Sequence, residues 1–174
     1  MLIDCSYFTN GPRHILNASL GTVGRLPNAN ATEVNETIEA YISEYQEEYL
    51  VGMLGKTMGN KVNAYLVCLE EDEKPTHHEN IDAVCERLRD SFADYVFFHI
   101  LRDTSTQSTI TGLVRLKCAN EYVAPIRRQV NVWNTMVDKH SRFAEWCQST
   151  DCTMPGISIN PYSDMLTKIN QFNL

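Results

Sequence analysis

GLVRLKCANEYVAPIRRQVNVWNTMVDKHSRFAEWC, residues 112–147, is the stretch on which the fold turns. Alternate steps of four and three from Gly112 give Leu116, Ala119, Val123, Ile126, Val130, Trp133, Val137, His140, Ala144 and Cys147. Only His140 interrupts this apolar or small line. A repeat of about 3.5 residues puts the line on one side of an α-helix. Tyr122, Met136 and Phe143 each precede a member of it and widen the stripe to a core-facing width. A straight helix of this length would be about 54 Å long, whereas a compact domain of this size is only about 40 Å across. The helix must therefore bend, break or protrude. Pro125 lacks the N–H that the Glu121 carbonyl needs, and its ring crowds that turn, so a kink or break is expected at 121–125.

Outward from this stretch, the N-terminal side reads as further helices. Val34, Ile38, Tyr41, Ile42, Tyr45, Tyr49 and Met53 keep helical spacing from a start near Asn30, where Asn30 and Glu33 form a capping-box variant. Glu36, Glu39, Glu44, Glu47 and Glu48 lie mainly on the other side, and Gly55 is the expected C-cap. Val62, Tyr65, Leu66 and Leu69 mark a second helix at about 57–70, close enough to the first for an antiparallel hairpin. A charged loop with Pro75 follows. A third helix at about 80–101 points Ile81, Val84, Cys85, Leu88, Phe92, Tyr95, Val96 and His99 inward, and its second half is apolar nearly all round, as suits the most central helix. Residues 102–109 read as a polar hinge, partly helical at most.

Residues 1–30 read as an irregular arm in which Pro12 opens a short helix to about Ser19. Residues 31–148 form the helical domain. Residues 149–174 form a Pro-punctuated tail in which Asn160-Pro161 can start a last short helix carrying Tyr162, Met165, Leu166, Ile169 and Phe172. This tail either packs back or reaches a partner. The fold class expected is all-α: a bundle of about four to five helices, with a long kinked C-terminal helix and an extended tail.

With 174 residues, 43% apolar and 21% charged, one globular domain is the simplest reading. A formal charge of −7 argues against a general nucleic-acid binder. The first residues lack a signal-peptide pattern, and no apolar run approaches a bilayer span, so a cytosolic origin and no membrane association are expected. Six widely spaced cysteines without a C-x-x-C pair are read as free thiols, several of them buried. Charge is uneven: 15 acidic and 5 basic residues from Glu33 to Asp94, against 7 basic and 3 acidic from Arg102 to Arg142. The two regions can attract within one chain or between copies.

No catalytic, metal or cofactor signature is found. There is no Glu-x-x-His pair, H-E-x-x-H, phosphate-cradling Gly-rich loop or G-x-S-x-G. Cys85 with His99, and Cys147 with His140, are the formal thiol–imidazole pairs; both histidines read as hydrogen-bonded core residues. His77-His78 on a loop is a weak metal signal. The candidate partner interface comprises Arg127, Arg128, Trp146, Ile157, Ile159, Pro161 and Tyr162.

Three passages occur in a familiar order: Ile38-Glu39-Ala40-Tyr41-Ile42 through Leu54-Gly55; Phe92 to Phe98 followed by the Thr-rich Thr104–Gly112; and Ile126 to Val137. This order, over about residues 33–147, resembles small virion structural proteins of tailed phages and prophages, similar in plan to head–tail connectors (adaptors) of the neck. The resemblance implies a non-enzymatic protein without cofactor. It would assemble as a homo-oligomeric ring, dock to portal and tail proteins, and pass from the host cytoplasm into the virion neck. Another helical phage assembly factor, for tail completion or chaperoning, is the alternative.

Overall fold

The computed structural model describes residues 1–19, 29–71, 76–104, 106–109, 112–115, 126–152 and 154–170, with residues 29, 30 and those of the strands described by backbone alone. The chain is predominantly helical. Helix α1 spans Ala29–Glu71, α2 spans Glu79–Thr104 and α3 spans Ile126–Cys147. Between α2 and α3 lie two short antiparallel strands, β1 (Thr106–Thr109) and β2 (Gly112–Arg115), with Thr109 opposite Gly112.

The strands correct two expectations. The hinge at 106–109 is extended, and the long helix does not begin at Gly112. Thr, Val and Leu at these positions satisfy a strand as well as a helix, and apolar spacing alone does not separate the two. The kink expected at 121–125 lies outside the described residues. α3 opens at Ile126, immediately after Pro125 in the chain. The described residues thus hold three helical elements, the first of which divides into two helices at Gly55.

α1 is not one rod. Gly55 adopts φ 76°, ψ 162°, a conformation essentially confined to glycine, and the helix folds back there into arms 29–54 and 56–71. Gln46 Nε2 donates to Asn63 Oδ1 at 2.8 Å although 17 residues separate them. Gly59 makes the close return possible: a Cβ there would lie 2.6 Å from the Val51 Cα and 2.7 Å from the Leu50 carbonyl. Asn30 lies inside the first turns of α1, not at a cap position before it.

α2 is the centre. Every residue from Ser91 to Ile100 is buried, as the all-round apolar pattern predicts. Ile38, Ile42, Tyr49, Leu50 and Met53 of α1 and Met136, Val137, Phe143 and Trp146 of α3 share one buried core with it. Each large side chain fully buried here contributes about 1.5–3 kcal/mol. On α3 the buried line runs Gln129, Met136, His140, Phe143, Trp146. Val130, Trp133, Ala144 and Cys147 from the predicted line are only half-buried, so the buried face is turned slightly toward the bulkier neighbours.

The described part of the N-terminal arm is ordered and docked. Leu2, Ile3, Cys5 and Phe8 enter the core, and Leu2 N–H donates to Gln46 Oε1 at 2.6 Å. The helical turn at Pro12 ends at Arg13, well short of Ser19, because the chain reverses: Ile15 N–H returns to the Phe8 carbonyl, and Asn17 has φ 70°. The tail packs back as well. Its only helical turn among the described residues is the 3-10 turn Asp164–Leu166, so the expected last helix is not formed over 160–170.

Candidate functional site

The predicted interface residues separate into three groups. Arg127, Pro161 and Tyr162 are exposed, Tyr162 at 91%. Arg128 is exposed but engaged: its guanidinium donates to the Pro12 carbonyl at 3.0 Å and lies 4.9 Å from the Phe97 ring centroid. Trp146 and Ile157 are core residues, and Ile159 is half-buried. Trp146 lies outside the alternating line, which suggested an interface. In the fold it packs on Phe143 at 5.7 Å and beneath Arg87 at 5.4 Å.

Backbone groups left over at helix ends explain how the tail is held. Gly55 terminates the first arm of α1 and leaves carbonyls without intrahelical partners. Asn160 supplies two donors: its N–H to the Met53 carbonyl at 2.7 Å and its side-chain amide to the Gly52 carbonyl at 3.1 Å. Farther on, Asn134 of α3 grips Ile169 by both its N–H, at 2.9 Å, and its carbonyl, at 3.0 Å. Trp133 Nε1 donates to the Thr167 carbonyl at 2.8 Å. Between these anchors Asn160 Oδ1 accepts from Tyr162 N–H at 3.2 Å, and Ser163 N–H returns to the Asn160 carbonyl. A hydrogen-bonded turn therefore displays Pro161 and Tyr162 at the surface.

Under that turn lies a buried polar chain. His140 Nδ1 is 2.9 Å from the Met165 carbonyl and Nε2 is 3.0 Å from the Tyr49 hydroxyl. Tyr49 lies 2.7 Å from Ser91, whose hydroxyl reaches the Leu88 carbonyl at 3.0 Å. Burial pushes His140 down to about 4, despite the Met165 carbonyl acting the other way. The ring is therefore neutral. The carbonyl only accepts, so the proton sits on Nδ1 and Tyr49 donates to Nε2. His140 is a hydrogen-bonded core histidine joining α1, α3 and tail.

The other buried histidine has no such partners. His99 is 6% exposed, and neither ring nitrogen is hydrogen-bonded. Its ring stacks on Tyr45 at 3.9 Å and 17°, and meets Tyr95 edge-on at 4.5 Å. Burial, then the Arg102 charge, push it down to about 4. Just outside is a crevice of about 290 Å³, lined among the described residues by Ala40, Tyr41, Glu44, Tyr45 and Asp103. Tyr41 and Tyr45 stack at 6.1 Å and 22°, and Tyr41 donates to Asp103 at 3.3 Å. The sequence reading placed both tyrosines in the core and Glu44 on the solvated side. The missed signal is that residues 41, 44 and 45 straddle the boundary between those sides.

An ionic knot lies at the opposite edge of α2. Asp94, 5% exposed, accepts from Arg13 at 2.9 Å and from Lys139 at 2.5 Å; Arg13 also reaches Asp90 at 2.9 Å. The acidic α2 and basic α3 thus attract within the chain, as the charge distribution allows.

The formal thiol pairs do not assemble. Cys85 and His99 are 14 residues apart on α2, about 21 Å along its axis. Cys147 and His140 are seven apart on α3, about 10 Å, and His140 is fully hydrogen-bonded. Cys5, Cys85 and Cys147 are each pushed up to about 11, by burial first and then by Glu39, Asp82 and Cys152 respectively. His77 and His78 are exposed, with His77 3.2 Å from Asp82. Among the described residues no helix is long and apolar enough to cross a membrane. No protein-family model matches the chain, and no curated protein or solved structure matches it either.

Proposed function

We propose that this chain is a non-enzymatic virion structural protein of the tailed-phage neck, a head–tail connector that works by protein contacts. The observation that carries the reading is the tail turn. Three anchors, on Gly52–Met53, His140 and Asn134, hold residues 160–169 in place while Tyr162 is displayed at 91% exposure. A large aromatic ring held out to solvent by a hydrogen-bonded turn has little left to lose on docking, which is how contact hot spots reach high worth per residue. The order of helical passages that resembles neck connectors supports the same reading. So does the hydrogen-bonded role of His140, which joins α1, α3 and tail. On this reading the chain joins other copies in a ring and docks to portal and tail proteins. It moves from the host cytoplasm into the neck.

The test is co-expression with the portal protein of the same phage, read by affinity capture and sedimentation. The connector reading expects capture and higher-order assembly. Tyr162→Ala should weaken capture about tenfold or more, in the range of an interface hot spot, with the melting temperature unchanged. A chain that stays monomeric and ignores portal would end the reading. Capture by another assembly protein instead would favour tail completion or chaperoning.

A further inference from the structure

We propose that Cys147 and Cys152 form a redox latch, an intrachain disulfide that joins the end of α3 to the start of the tail when the chain meets a small-molecule disulfide. α3 ends at Cys147. Beyond it the chain winds through tight turns. Gln148 N–H donates to the Glu145 carbonyl at 3.2 Å, and Ser149 N–H to the Trp146 carbonyl at 3.0 Å. The Ser149 hydroxyl donates to the same Trp146 carbonyl at 2.8 Å and accepts from Asp151 N–H at 3.3 Å. Cys152 N–H then returns to the Ser149 carbonyl at 3.3 Å. The steps from Trp146 to Ser149 and from Ser149 to Cys152 are thus each closed by a hydrogen bond, which holds the ends of such a turn within about 7 Å. Extended chain over the same five positions would reach about 17 Å, far beyond the span of a disulfide.

The two side chains also turn to the same side of this loop. Cys147 and Cys152 are each half-buried and pack on the one hydrophobic core, whereas the four residues between them are exposed. The thiols sense each other: Cys147 is pushed up to about 11 by burial first and then by Cys152. Repulsion between two ionised sulfurs falls with their separation, so the pair are neighbours. The closing step is thiol–disulfide exchange. One cysteine thiolate attacks a sulfur of oxidised glutathione, whose S–S bond breaks and releases one glutathione thiolate. The other cysteine attacks the mixed disulfide and releases the second. The protein pair gives up two electrons and two protons, and the oxidant leaves as two thiols. A reducing cytoplasm keeps the pair open, and an oxidising medium closes it. Closure fixes the root of the tail just ahead of Met154 and Ile157, which enter the core. Only the occasion of closure, release of a particle from the cell, rests on the connector reading; the chemistry of the pair does not.

The experiment equilibrates the full chain in mixtures of oxidised and reduced glutathione and traps free thiols with iodoacetamide. Mass spectrometry then reads the tryptic peptide of residues 143–168, which holds both cysteines and no internal lysine or arginine. In the oxidising mixtures this peptide should carry no label and weigh about 2 Da less than the dithiol, and it should revert as reduced glutathione is raised. The oxidised chain should melt about 4–8 °C above the reduced one. That gain should vanish in both Cys152→Ser and Cys147→Ala. Label on both cysteines in the oxidising mixtures, a separate glutathione adduct on each, or linkage of either to another cysteine would overturn the latch. The peptide map is read on the unaltered chain, so a variant that fails to fold leaves the test intact. Portal capture is a separate measurement, so the latch and the connector reading can fail independently.

Discussion

The Tyr49 hydroxyl lies 3.0 Å from His140 Nε2, and both side chains are wholly buried. Four contacts run from the Met165 carbonyl through His140, Tyr49 and Ser91 to the Leu88 carbonyl. A neutral imidazole and two hydroxyls supply three protons for them. Ser91 must therefore divide its proton between Tyr49 and the Leu88 carbonyl. Tyr49→Phe removes the donor to Nε2 and leaves a buried acceptor unpaired. It should lower stability by about 1–3 kcal/mol, read from the urea midpoint at pH 7. An unchanged midpoint would mean the chain of contacts contributes nothing.

Acid should weaken the fold through both buried histidines. His99 and His140 are held at about 4, against 6.5 for an unconstrained imidazole. Above pH 6.5 neither folded nor unfolded chain protonates them, and they add no pH dependence. Between pH 6.5 and 4 the unfolded chain takes up protons that the folded chain refuses. Stability then falls with pH, by at most about 1.4 kcal/mol per unit for each histidine. His99→Phe keeps the stacking on Tyr45 and removes two unpartnered nitrogens. It should raise stability at pH 7 by about 1 kcal/mol and flatten the decline between pH 6.5 and 4.5. Urea titrations of both proteins across that range give the difference directly, and parallel curves would contradict the role given to His99.

Asp94 joins the N-terminal arm to α3 through α2. Asp94→Asn leaves Arg13 and Lys139 converging without their carboxylate. Both cations remain about one-fifth exposed, so water softens the loss. The expected cost is about 2–3 kcal/mol, below that of a fully buried pair. Limited proteolysis should show the arm near Arg13 cleaved sooner. A variant as stable and as resistant as the parent would show that the knot is incidental.

Gly59 sets the separation of the two arms of α1. Gly59→Ala places a methyl group within 2.7 Å of backbone atoms at Leu50 and Val51, which cannot swing away as a side-chain end would. A cost of about 3 kcal/mol is expected, seen as a lower melting temperature with helical circular dichroism retained. A neutral substitution there would require the arms to lie farther apart than described.

Several elements were legible without coordinates because they depend on periodicity and punctuation. The spacing from Val34 to Met53, the reversal at Gly55 and the all-round apolar second half of α2 each follow from local chemistry, and the fold shows all three. The stretch at 112–115 was misread because Gly, Leu and Val there satisfy two periods at once, and only pairing with 106–109 selects the strand. The contact residues were legible in part. Tyr162 is displayed; Trp146 is not, because Arg87 and Phe143 close over it.

The amino-acid order alone determined that this is a mostly helical chain with a central apolar helix and a glycine reversal, since those rest on interactions within a few residues. Tertiary structure alone decided which polar groups meet. Asn160 finding the carbonyls of Gly52 and Met53, His140 joining Tyr49 to Met165, and Tyr41 donating to Asp103 are contacts across 25 to 108 positions. Such pairings depend on how whole helices pack, and packing is set by the summed fit of many side chains, which no short window of sequence contains.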